Sequence, residues 1–132
     1  MPDTTSTAPV RIVMLVDDDK FLLDMYSMKF TQAGYAVRAH LGAKSALEDL
    51  RGGAQPDAIL FDLSMPEIDG FGFLQAIREG NLATSARKIA LTNQSDDAEQ
   101  KQARDLGADE YIIKASVIPS EVVAKVGELL AK

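Results

Sequence analysis

Residues 59–70 read ILFDLSMPEIDG: an apolar run ends in a carboxylate, and two turn-forming pairs follow. The continuous apolar run at 58–61 is typical of a strand that is covered on both faces. The Met-Pro and Asp-Gly pairs favour a stiff loop and then a turn into a helix. Asp62 is therefore predicted at the carboxyl end of a buried strand, where its charge needs an explanation.

Similar short apolar runs recur along the chain, and stretches with helical spacing separate them. The five predicted strands are 11–16, 35–39, 58–61, 88–92 and 111–113. The apolar stripes that predict four of the helices are Phe21/Met25/Met28, Ala43/Ala46/Leu47/Leu50, Phe71/Leu74/Ile77 and Val122/Val123/Val126/Leu129/Leu130. The segment 95–106 offers only Ala98, Ala103 and Leu106 to a core, which predicts the least firmly anchored helix.

This alternation predicts an α/β fold with a five-stranded parallel sheet of order 2-1-3-4-5, doubly wound and flavodoxin-like, with five helices. The second run, which carries Arg38, and the short fifth run suit the two edges of the sheet. Residues 11–132 are predicted to form one domain, and residues 1–10 a disordered tail.

Composition narrows the possible functions. The chain has 132 residues and no cysteine, which excludes disulfides and a cysteine nucleophile. Acidic residues outnumber Lys and Arg by 20 to 14, a net charge of −6, which argues against nucleic acid as a direct partner. A secretory leader and an apolar run long enough to span a bilayer are both missing, so no membrane insertion and a cytoplasmic location are predicted.

Carboxylates converge on one crevice of the predicted sheet. Asp17, Asp18 and Asp19 follow the first strand, and Asp62 follows its neighbour. Grouped carboxylates repel one another unless a cation lies among them. Oxygen ligands in a small open site select a hard ion, and Mg²⁺ fits better than Ca²⁺.

Two further side chains are expected on the same rim. Thr92 ends the fourth strand and Lys114 follows the fifth. Carboxylates, a hydroxyl and an ammonium group are the parts needed to accept and hold a phosphoryl group. Each of these residues alone is common at the end of a strand, so the prediction rests on their combination.

With these residues the sequence resembles the receiver domains of bacterial response regulators, from about Arg11 to Lys132. The motifs that carry the resemblance are Asp17-Asp18, the D-x-x-M-P-x-x-D-G pattern (Asp62, Met65, Pro66, Asp69, Gly70), Thr92, and the Y-x-x-K pattern (Tyr111, Lys114). No domain is recognised after the last helix, and the chain is interpreted as a stand-alone receiver.

The resemblance implies a phosphoacceptor chemistry centred on Asp62. In this family the corresponding aspartate takes a phosphoryl group from a phosphohistidine of a sensor histidine kinase or a histidine phosphotransfer protein. Asp18, Asp62 and the carbonyl oxygen of Ser64 would hold Mg²⁺, with Asp17 assisting. Lys114 would bind the phosphoryl group or, without it, the Asp62 carboxylate.

The resemblance also implies a switch. Thr92 would turn inward toward a phosphoryl oxygen, and Tyr111 would then change its packing. The affected surface is made by the fourth helix, the fifth strand and the fifth helix. Its expected partner is a downstream protein target, and both a monomer and a phosphorylation-dependent dimer are compatible with the sequence.

The chain departs from the usual family pattern at two positions. Ala115 follows Lys114 where most receivers have proline, and Asn93 stands beside Thr92 where a small residue is usual. The side chains of Ser64 and Gln94 would flank the approach of hydrolytic water, and Asn93 would add bulk there. Slow self-dephosphorylation is therefore predicted. Apart from this reaction and the chain's own phosphorylation, no separate enzymatic activity is expected.

Two other function classes remain as alternatives. One is a small haloacid-dehalogenase-type phosphatase with Asp17 as nucleophile and Asp19 as acid, an interpretation that leaves Asp62 unexplained. The other is a receiver-like binding module that is not phosphorylated.

Overall fold

The computed structural model describes residues 10–131, so the tail predicted for residues 1–10 lies outside the described residues except for Val10. The strands are β1 (Ile12–Val16), β2 (Ala36–His40), β3 (Ala58–Phe61), β4 (Arg87–Thr92) and β5 (Glu110–Ile113). The helices are α1 (Lys20–Gln32), α2 (Ala43–Arg51), α3 (Gly70–Glu79), α4 (Asp97–Asp105) and α5 (Pro119–Leu130). A short 3₁₀ turn, Lys114–Ser116, joins β5 to α5.

The sheet confirms the predicted flavodoxin-like topology. All four strand pairs are parallel, and the order is β2-β1-β3-β4-β5. The winding reverses between β1 and β3, which places the ligand crevice of such a sheet beyond the carboxyl ends of these two strands. Within residues 10–131 the helices are too short or too polar to cross a membrane.

Two apolar cores lie on opposite faces of the sheet, because side chains alternate along each strand. On one face, Met14 and Val16 of β1 and Ile59 and Phe61 of β3 pack under α2, α3 and α4. On the other face, residues that include Val13, Leu15, Leu60 and Ile89 pack under α1 and α5. Strands β1 and β3 are therefore held from both sides, and the residues that follow them start from fixed positions.

The apolar stripe predicted for α1 is wrong. Leu23, Tyr26 and Phe30 face the core, whereas Phe21 is 78% exposed and Met28 is 56% exposed. Residues 20–32 carry two apolar stripes with helical spacing, and only one of them can face the sheet. The buried stripe is the one that contains two aromatic side chains, Tyr26 and Phe30.

Helix α4 confirms the prediction of weak anchoring. Ala103 is its one buried side chain among the described residues, and Ala98, which was predicted to face the core, is exposed. The side chain of Asp96 caps the helix by accepting a hydrogen bond from the amide of Ala98 at 2.7 Å. The helix therefore depends on its cap and on a single small side chain.

The edge strand β5 carries a charged residue at its start. Glu110 lies 3.6 Å from the guanidinium of Arg104 on one side and 3.5 Å from the ammonium of Lys125 on the other. These pairs join β5 to the helices that flank it in the chain.

Candidate functional site

The carboxylates predicted to converge do so at the reversal point of the sheet. Val16 and Phe61 are paired at the ends of β1 and β3, so Asp17 and Asp62 leave adjacent strands side by side. The amide of Asp62 donates to the carbonyl of Val16 at 3.1 Å, which extends the strand pairing to the site. Asp17, Asp18 and Asp62 offer carboxylate oxygens that all lie within 4.8 Å of one another.

Lys114 joins two of these carboxylates. Its ammonium lies 2.7 Å from Oδ2 of Asp17 and 3.0 Å from Oδ2 of Asp62, and its side chain is only 9% exposed. The residues described contain no cis peptide bond, and Lys114 begins the 3₁₀ turn. Ala115 in place of proline therefore leaves Lys114 within reach of Asp62.

The electrostatics of this group favour a charged lysine. Burial alone would lower the pKa of Lys114, but the hydrogen bonds and charges of Asp17 and Asp62 outweigh it and raise that pKa. Burial raises the pKa of Asp17, against the opposing effects of Lys114 and the amide of Asp19. The ammonium group of Lys114 therefore neutralises only part of the negative charge of the carboxylates.

The donor atoms fit a hard divalent ion. Asp17 Oδ1 accepts from the amide of Asp19 at 2.9 Å, and Asp62 Oδ1 accepts from the amide of Ser64 at 3.2 Å, so backbone contacts fix both carboxylates. Asp18 is exposed and leaves room for water on one side of the cluster. Three carboxylates without nitrogen or sulfur donors suit Mg²⁺ rather than a transition metal.

Thr92, Gln94 and Tyr111 form a second group on the same rim. Thr92 is fully buried, and its hydroxyl accepts from the amide of Gln94 at 3.3 Å. The hydroxyl of Tyr111 donates to the carbonyl of Gln94 at 2.8 Å, while Asn93 is exposed. Across residues 10–131 no side-chain hydrogen bond links this group to the carboxylates and Lys114.

Gly70 has a structural role that the sequence did not reveal. A Cβ atom on it would lie 2.6 Å from the carbonyl oxygen of Asp62 and 2.7 Å from Cα of Leu63. The first residue of α3 therefore packs directly against the backbone that carries Asp62. Asp69 caps the helix by accepting from the amide of Gly72 at 2.9 Å, as expected for a turn into a helix.

Comparison with known families decides what kind of domain this is. Residues 13–126 match the family model of the response regulator receiver domain. The chain belongs to this family. Receiver domains act in two-component signalling and typically bind Mg²⁺ at an acidic pocket, which corresponds here to the cluster of Asp17, Asp18 and Asp62.

Individual relatives agree with the family match. The receiver is 30% identical over 125 residues to the DNA-binding dual master transcriptional regulator RpaA of Synechocystis, covering 91% of this chain and 49% of RpaA. It is 31% identical over 120 residues to the response regulator SaeR of Staphylococcus epidermidis, covering 91% of this chain and 50% of SaeR. The chain thus spans about half the length of the curated relatives it matches.

Solved structures show the same fold. A CheY-like receiver domain protein from Methanospirillum hungatei superposes with a TM-score of 0.84 at 26% identity, covering 93% of this chain and 95% of that one. The receiver domain of the Francisella response regulator 1452 gives a TM-score of 0.81 at 26% identity, covering 92% and 97%.

Proposed function

We propose that this receiver domain accepts a phosphoryl group on Asp62 from a phosphohistidine of a sensor histidine kinase or a histidine phosphotransfer protein. The observation that supports this most is the position of Lys114, whose ammonium bonds Asp62 and Asp17 at once. An ammonium group already in contact with the acceptor oxygen can follow it onto the phosphoryl group without a large movement.

The transfer forms a bond between an Asp62 oxygen and phosphorus and breaks the bond from phosphorus to the donor imidazole, which keeps those bonding electrons. Lys114 offsets the negative charge on the phosphoryl oxygens. Bound Mg²⁺ would supply further neutralisation of that charge. Asp17, Asp18, Asp62 and the carbonyl oxygen of Ser64 are the proposed ligands, since the first three already share one cluster.

The same proposal includes a switch at the second group of residues. Phosphorylation adds about two negative charges near the end of β3, and the Thr92 hydroxyl then gains a strong acceptor for its proton. Because that hydroxyl accepts from the amide of Gln94 and Tyr111 donates to the carbonyl of Gln94, a turn of Thr92 changes the support of Tyr111. The surface of α4, β5 and α5 is then altered for a downstream protein target.

The partners proposed are proteins. The phosphodonor and the downstream target are the two expected contacts, in the cytoplasm and without direct binding of nucleic acid by this domain. A monomer and a phosphorylation-dependent dimer both fit this proposal, which needs only the surface of α4, β5 and α5 to change.

The contacts of Asp19 disfavour the phosphatase alternative. Asp17 itself does not separate the two proposals, because both oxygens of Asp17 and of Asp62 are engaged, one by Lys114 and one by a backbone amide. Asp19 accepts from the amide of Leu22 at 3.2 Å and caps α1, so it lacks the freedom expected of an acid catalyst.

Intact-protein mass spectrometry after incubation with acetyl phosphate and Mg²⁺ tests the proposal. We expect one phosphoryl adduct on the natural chain and on the control Asp24→Asn, an exposed aspartate of α1. Asp62→Asn should give no adduct while it keeps the fold. An adduct that maps to Asp17 would support the phosphatase alternative, and a chain that never gains the mass would be a binding module.

Thermal unfolding tests the metal ligands separately. A ligand that binds only the folded state raises its melting temperature. We therefore expect Mg²⁺ at millimolar concentration to raise the melting temperature of the natural chain. Asp18→Asn should abolish most of this increase and Asp24→Asn none of it; an equal increase in all three proteins would remove Asp18 from the site.

A further inference from the structure

A second cluster of reactive side chains lies beside the edge strand β2, outside the phosphoryl site. The imidazole of His40, the last residue of β2, lies between two residues of α2. Its Nδ1 is 2.5 Å from the hydroxyl oxygen of Ser45, and its Nε2 is 2.9 Å from Oδ2 of Asp49.

The partners of Asp49 determine which nitrogen of His40 carries the proton. Arg38 donates to Oδ2 of Asp49 at 2.7 Å and to Oδ1 at 2.6 Å, and these bonds lower the pKa of Asp49 to about 2. An ionised carboxylate only accepts, so Nε2 of His40 is the donor toward Asp49. Nδ1 of the neutral ring is then an acceptor, and the hydroxyl of Ser45 donates to it.

Ser45 and His40 open onto one groove. This groove has a volume of about 620 Å³ and runs between the loop that follows β2 and the loop that follows β3. Its walls include Leu41, Gly42, Pro66 and Glu67. Ser45 is an exposed residue, while the His40 side chain is only 14% exposed, so the serine is open to solvent and its base is shielded.

The start of α2 adds hydrogen-bond donors at the same place. Ser45 is the third residue of this nine-residue helix, and the preceding Gly42 supplies no side-chain cap. The first amides of a helix have no partners within the helix, and they favour negative charge. A developing oxyanion near Ser45 would therefore find donors in the first turn of α2.

A purely structural role explains Arg38 and Asp49 better than it explains Ser45. The Arg38–Asp49 pair ties β2 to α2 without any contribution from Ser45. An exposed serine hydroxyl has water as a partner and gains little from an imidazole. Hydrogen bonds instead connect the serine to the histidine and the histidine to the carboxylate, and the serine faces a groove. This is the arrangement that activates a serine nucleophile.

We propose that Ser45 is a nucleophile toward small carboxylic esters, with His40 as its general base and Asp49 as the group that orients His40. Ser45 Oγ forms a bond to the ester carbonyl carbon as its proton passes to Nδ1 of His40. The bond to the alcohol oxygen breaks, and the alcohol leaves with that proton. Water then attacks the acyl-serine by the same route, which releases the acid and restores Ser45.

A small alkyl fluorophosphonate is the probe for this nucleophile, because attack by Ser45 forms a stable bond to phosphorus and expels fluoride. The full chain is incubated with the probe, and the adduct is located by peptide mass mapping. General-base assistance contributes about a hundredfold or more. We expect Ser45 to react about a hundredfold faster than Ser120, an exposed serine in the first turn of α5 that lacks an imidazole partner, because His40 is the only histidine of the chain.

Two variants separate activation from simple exposure. Ser45→Ala should lose the adduct, and His40→Gln should slow it to about the rate of Ser120. Both should lose hydrolysis of p-nitrophenyl acetate, whereas Asp24→Asn should keep it. Circular dichroism and adduct formation at Asp62 with acetyl phosphate would show that each variant is folded. A reaction at Ser45 that is no faster than at Ser120, or that His40→Gln leaves unchanged, overturns the proposal. Neither result would affect the phosphoacceptor role of Asp62.

Discussion

Helices α3 and α4 cover the same face of the sheet, but they are held to it very differently. Phe73, Leu74 and Ile77 of α3 are each 2% exposed or less, whereas α4 buries one alanine among its described side chains. The loop before α3 carries Asp62, and the loop before α4 carries Gln94. The phosphoacceptor is therefore fixed by a strongly packed helix, while the proposed readout lies beside a helix that is easily displaced.

Truncation of one core side chain in each helix tests this difference most directly. Phe73→Ala removes a fully buried ring and should lower the free energy of unfolding by about 3–5 kcal/mol. Ala103→Gly removes one methyl group and adds backbone freedom, at a cost of about 1 kcal/mol. Urea unfolding of both variants measures the two losses, and equal losses would contradict the ranking of the helices.

Gly70→Ala tests the contact between α3 and the acceptor. The added Cβ would meet the Asp62 carbonyl oxygen at 2.6 Å, so the loop has to shift at a cost of about 1–3 kcal/mol. We expect slower phosphorylation by acetyl phosphate at temperatures where the variant is fully folded. Gly72→Ala, where the nearest contact is 3.2 Å from a side-chain atom of Ile68, is the matched control.

Asn93→Ala tests whether the loop before α4 sets the lifetime of the phosphorylated state. Removal of the amide should open the approach of water and accelerate loss of the phosphoryl group by about tenfold, equivalent to about 1.4 kcal/mol. A smaller residue at position 94 should act in the same direction. Loss of radiolabel from purified phosphoprotein gives the rate, and decay no faster than in the natural chain removes the steric explanation.

Tyr111→Phe is the smallest of the changes and isolates one hydrogen bond. Loss of the bond to the Gln94 carbonyl should lower stability by about 1 kcal/mol and increase amide hydrogen exchange in α4. Tyr35→Phe is the control, because the Tyr35 hydroxyl has no hydrogen-bond partner among the described residues. Faster exchange in α3 instead of α4 would show that the Tyr111 hydrogen bond stabilises α3, and this would contradict the proposed role of Tyr111 in the α4 surface.

The strands and their order could be predicted from the sequence because buried parallel strands leave continuous apolar runs. The meeting of Asp17, Asp18 and Asp62 followed from that order. The buried face of α1 could not be predicted, since Phe21, Met25 and Met28 have a helical spacing as good as that of Leu23, Tyr26 and Phe30.

Contacts made by the backbone also escaped prediction. The acceptor of Tyr111 is a carbonyl, and the atoms that require Gly70 belong to the main chain of Asp62 and Leu63. Any residue type has such atoms, so a sequence pattern carries no signal for them. The cluster around His40 depends on the turn from β2 into α2, which brings Ser45 and Asp49 to one side of the ring.

The pairing of Glu110 with Arg104 and Lys125 affects how copies of the domain meet one another at high concentration. β5 is only four residues long, and a neighbouring molecule that added a strand to its open edge would have to accommodate three charged side chains at its start. Short, charged edges discourage intermolecular strand addition and the fibrous aggregates that grow from it. Glu110→Val should therefore be most damaging in a crowded, overexpressing cell, where it would reduce soluble yield while the isolated domain keeps its fold.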